Sequence, residues 1–74
     1  MKRYGNRSEN SGVEAYRITD TAIFVKFRNR DEPYQYSSLG RAGPRKVARM
    51  KQLAEAGQGL GTYISQHAHD DYER

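Results

Sequence analysis

The chain has 74 residues, no cysteine, no tryptophan and a formal charge of +4. That length allows one small domain with a thin core, and the missing cysteines exclude disulfide staples and thiolate metal sites. No apolar run is long enough to span a bilayer, and Met1-Lys2-Arg3 does not lead into a signal-peptide core, so a soluble, cytoplasmic protein is expected.

The polar, aperiodic stretch "MKRYGNRSENS" predicts a disordered N-terminal arm over residues 1–11, with Lys2, Arg3 and Arg7 close together in it. A single small domain is expected over residues 12–74. Its first strand is "VEAYRI" (13–18), whose apolar residues do not alternate cleanly. After the turn signal "TDT" comes "AIFVKF" (22–27), a strand rich in β-branched and aromatic residues. Its period of two places Ile23, Val25 and Phe27 on one face, with Phe24 and Lys26 on the other. "RNRDE" is a charged turn, and Pro33 opens a third strand, "YQYSS". Turns this short make the meander antiparallel.

Helices follow. Gly43-Pro44 is a helix entry, and "PRKVARMKQLAEA" (44–56) carries an apolar stripe of Val47, Met50, Leu53 and Ala54. "GQGLG" (57–61) ends that helix, and "TYISQHAHDDY" (62–72) reads as a second one, capped by Thr62. The expected fold class is α+β, a three-stranded antiparallel sheet followed by two helices in the order β-β-β-α-α.

Charge is unevenly distributed. Residues 1–53 hold twelve lysines and arginines against five acids, whereas residues 54–74 hold one arginine against four acids. Arg41, Arg45, Lys46, Arg49 and Lys51 crowd eleven positions with no acid among them. Four-residue spacing puts Arg45 and Arg49 on one helix face, away from the apolar stripe. Such clusters bind phosphate backbones through counterion release; a solvated helix face is the ordinary alternative. The glycines of "GQGLG" follow a helix rather than a strand, so they are a helix-helix turn and not a phosphate loop. His67 and His69 point apart on a helix and do not converge on a metal. No nucleophile motif stands out, and neither a cofactor nor catalysis is expected. Tyr34 and Tyr36 share one face of their strand. They either form a base-stacking platform or fill a core poor in large apolar residues; burial of at least one beneath the helices is the expectation.

Taken together, Ser11, Val13, "IFVKF", Tyr34-Gln35-Tyr36 and "GLGTYISQH" (with Tyr63) resemble the KTSC domain over residues 11–72. That family is named for its occurrence at the C-terminus of some lysyl-tRNA synthetases and also occurs as small stand-alone bacterial proteins. The resemblance implies a fold and, more loosely, RNA binding. Two departures stand out: Ala68-His69-Asp70-Asp71-Tyr72 replaces a basic ending, and "SSLGRAGP" replaces a valine-proline step. Any nucleic-acid site would then have moved to the first helix. The expected function is a non-enzymatic binding module whose Arg41, Arg45, Lys46 and Arg49 meet an RNA or single-stranded DNA backbone. The alternative is a protein-interaction or self-association domain that uses an open sheet edge or Phe24. No membrane partner is expected.

Overall fold

The computed structural model describes residues 1–5 and 12–73. Four strands, β1 (Lys2–Arg3), β2 (Val13–Ile18), β3 (Ala22–Phe27) and β4 (Tyr34–Ser37), form an antiparallel sheet in chain order. Two helices follow, α1 (Gly43–Ala56) and α2 (Leu60–His67). The α+β class and the meander are as read from the sequence, but the sheet has four strands, not three.

The extra strand comes from the start of the segment expected as a disordered arm. Lys2 pairs with Tyr16 and Arg3 with Ala15, and the Tyr4 N–H donates to the Glu14 carbonyl at 3.1 Å. Tyr4 is the physical reason. Its ring is buried edge-on against Tyr16, at 6.5 Å between centroids. Its hydroxyl accepts the Leu60 N–H at 3.0 Å. One aromatic residue thus anchors a strand too short to show any period. The remainder of the expected arm, residues 6–11, lies outside the described residues, as does Ser11 of the family resemblance.

Strand β2 explains its own irregular pattern. Its register against β3 shifts between Val13 and Ala15, so Val13 and Tyr16 both turn into the core while Glu14 stays exposed. This is the two-against-one geometry of a β-bulge. Along β3, Ile23 and Val25 are fully buried. Across from them on β4 stand Tyr36 and Tyr34 respectively. That face is covered by α1, which packs on β3 and β4 and contributes Val47, Met50 and Ala54 to the core, with Leu53 half-buried beside them.

The turn between the helices behaves as its glycines predict. Gly57 caps α1 in the left-handed region (φ 76°), its N–H donating to the Leu53 and Ala54 carbonyls, and Gly59 enters α2 with φ 84°. Helix α2 departs from its expected bounds at both ends. It begins at Leu60, two residues before the expected cap Thr62, which is exposed inside the helix. It ends at His67, and Ala68 tucks back into the core. The first N–H groups of a helix lack partners within it; at Leu60 the Tyr4 hydroxyl supplies one, a role that local sequence does not reveal.

Candidate functional site

Helix α1 carries the basic residues singled out from the sequence, and tertiary contacts divide them. Arg45 and Arg49 are exposed, as their spacing opposite Val47, Met50 and Ala54 requires. Arg49 donates to the Gln52 Oε1 at 3.3 Å along its own helix face. Lys46 instead forms an ion pair with Asp71 at 2.6 Å, with both side chains partly covered. Arg41 is exposed, and its backbone N–H donates to the Glu73 carboxylate at 2.9 Å. Lys51 reaches the Thr19 and Asp20 carbonyls at 2.8 and 3.3 Å and ties α1 to the β2–β3 turn.

The acids responsible sit on the segment after α2. This segment turns at Ala68, where the Asp71 N–H donates to the Ala68 carbonyl. It then crosses the edge of β4, where the Glu73 N–H donates to the Gln35 carbonyl at 2.7 Å. Tyr72 comes with it and packs on Tyr34, centroids 4.5 Å apart. Adjacency in sequence suggested a continuous patch of Arg41, Arg45, Lys46 and Arg49. The fold leaves Arg45 and Arg49 outward together, with Arg41 exposed beside Glu73 and Lys46 paired with Asp71.

The motif tyrosines face the helices. Tyr36 is buried, and Tyr34 is half-buried among Phe27, Tyr36 and Tyr72 with the Arg30 guanidinium 4.7 Å from its ring centroid. Burial, together with the neighbouring Tyr34, Tyr72 and Asp71, pushes the Tyr36 phenol well above its ordinary range. It therefore stays protonated through the neutral range. Tyr63 lies half-buried on α2, against His67 one turn later. A cleft of about 540 Å³ opens between the β3–β4 turn and α2, lined among others by Phe27, Arg30, Tyr34, Tyr72 and His69. At its mouth His69 and Asp70 pair at 3.2 Å, both exposed. Among the described residues no cluster of three or more potential ligands could hold a metal ion.

The opposite face of the sheet carries a second basic surface. Arg3, Ala15 and Lys26 stand in one cross-strand row, and Arg17, Phe24 and Gln35 in the next. The Arg17 guanidinium lies 5.9 Å from the Phe24 ring centroid, and Lys26 pairs with Glu14 at 3.4 Å. Arg3 and Arg28 line a common depression with Tyr4, Gly5, Val13 and Glu14. The two-residue period already separates Phe24 and Lys26 from the core residues of β3, but only the strand register brings Arg3 and Arg17 beside them.

No helix among the described residues is long and apolar enough to cross a membrane. Comparison with protein-family models, with curated proteins and with solved structures gave no match.

Proposed function

We propose that this protein is a non-enzymatic binding module that engages the phosphate backbone of RNA or single-stranded DNA through α1. The observation that carries the reading is the outward pair Arg45 and Arg49, one turn apart on a face that makes no contribution to the core. Two arginines at that spacing can each meet a phosphate, and Arg is suited to phosphate recognition by its planar fork of donors. Lys46 and Arg41 contribute less than their positions in the sequence suggest, because Asp71 and Glu73 lie against them. The non-enzymatic part of this reading leans on the His69–Asp70 pair, which lies in solvent rather than enclosed with a reacting group. Membership of the KTSC domains belongs to the same proposal. It rests on "IFVKF", Tyr34-Gln35-Tyr36 and "GLGTYISQH", and is consistent with a sheet that precedes two helices.

The test is a binding titration with short RNA and single-stranded DNA at several salt concentrations. Arg45→Ala combined with Arg49→Ala should leave the fold intact, lower affinity, and reduce the salt slope by about two, roughly one per lost phosphate contact. Unchanged affinity and slope in the double variant would sink the α1 reading.

A further inference from the structure

Every tyrosine, and Phe27, either belongs to the core or packs against it. Phe24 does neither: it projects from the middle of β3 onto the face that the helices leave uncovered. An antiparallel sheet with one solvated face carries mostly polar residues there, and the half-buried ring of Phe24 stands out among them.

The surroundings of that ring are basic. Arg17 and Gln35 flank it across the strands, Arg3 and Lys26 occupy the adjoining row, and Arg28, just past the end of β3, lines a depression with Arg3 and Glu14. Glu14 is the one carboxylate within the four strands, and Lys26 is paired with it. A protein-docking surface would call for a contiguous apolar patch of several hundred Å². Here a single ring is set among cations. That combination complements a ligand with flat apolar faces and a negative backbone, which is a single strand of nucleic acid; a duplex hides its base faces.

We infer that the sheet face opposite the helices is a single-stranded nucleic-acid surface, with Phe24 as the ring on which a base stacks and Arg3, Arg17 and Arg28 as partners for the phosphates. Arg17 lies near the outer limit of contact with the ring, so its guanidinium can turn to a phosphate when a base takes the ring face. Gln35 offers an amide donor and acceptor to the edge of the same base. The inference rests on the reading of the chain as a nucleic-acid binder but not on α1, which lies across the sheet.

The absence of tryptophan makes the test direct, since Phe24→Trp introduces the sole indole of the chain. Titration with a short thymidine or uridine oligonucleotide at low salt should quench its emission to saturation, while a duplex of equal length leaves it unchanged. The DNA and RNA arms show whether the 2′-hydroxyl contributes. Phe24→Ala should weaken binding of a labelled oligonucleotide about tenfold, and Arg17→Ala should lower the salt slope by about one. Neither side chain packs in the core, so both variants should fold, as circular dichroism would report.

Saturable binding without quenching, equal quenching by the duplex, or full affinity in Phe24→Ala would overturn the assignment. An emission shift that follows protein concentration without oligonucleotide would overturn it too, and would mark the face as a self-association surface. Quenching that survives Arg45→Ala with Arg49→Ala supports the sheet even where the α1 reading fails. Loss of binding in that double variant, with Phe24→Ala at full strength, leaves α1 alone. Failure of every oligonucleotide to bind overturns both.

Discussion

Tyr36 is the largest of the fully buried side chains among the described residues, 1% exposed, and its ring fills the space beneath α1 that a 74-residue chain has few other residues to fill. Truncation to alanine should cost about 3–5 kcal/mol, the range for large core aromatics, read as a lower midpoint of thermal or urea unfolding. Its hydroxyl adds a pH dependence whose sign is determined. The phenol is raised above the ordinary value of 10.0 in the fold. Its contribution is therefore complete below pH 10 and is lost as the unfolded chain ionises above it. Stability should fall as pH rises past about 10, and Tyr36→Phe should flatten that fall in urea titrations across the alkaline range. Tyr4 works through a different atom. Replacing it by phenylalanine keeps the buried ring but orphans the Leu60 N–H, a loss of about 1–3 kcal/mol for a buried donor left unpaired, measurable in the same unfolding experiment.

Elements with a clear period were legible from the residues alone. The stripe of Val47, Met50 and Ala54 located α1 and its buried side, and the alternation in "AIFVKF" identified both faces of β3. What was not legible has specific physical causes. Two residues, Lys2 and Arg3, cannot display a period, so β1 could only have been suspected from the lone aromatic Tyr4 beside them. The bulge in β2 broke its alternation, and the broken pattern was itself the signal of the bulge. Thr62 looked like a cap because caps are usually local; the partner of the Leu60 N–H comes instead from the other end of the chain. Gly57 was read correctly because the requirement is local: its left-handed φ of 76° tolerates no β-carbon without strain. Gly57→Ala should destabilise by about 1 kcal/mol or more, and hydrogen exchange should localise the loosening to the end of α1 and the start of α2.

For the molecule as a whole, the division of charge along the sequence becomes a contact in space. The acidic segment folds back on the basic helix, joining Asp71 to Lys46 across 25 positions. No helical spacing could have revealed that, whereas the exposure of Arg45 and Arg49 followed from spacing alone. The partly exposed ion pair adds little to stability, but it withholds a cation. Asp71→Asn should release Lys46 to a phosphate and increase the salt slope of nucleic-acid binding by about one, in a titration set beside that of the unmodified chain. The link from Tyr4 to Leu60 has another consequence, in the order of events during synthesis. The two groups lie 56 positions apart, and closing so long a loop is entropically costly until the contacts beyond it form. On the ribosome, Tyr4 must wait until Leu60 has emerged before its hydroxyl finds its partner. The β2–β4 meander has all its strands in hand much earlier, so a stalled nascent chain halted before Leu60 should protect the β3 amides while those of Lys2 and Arg3 still exchange.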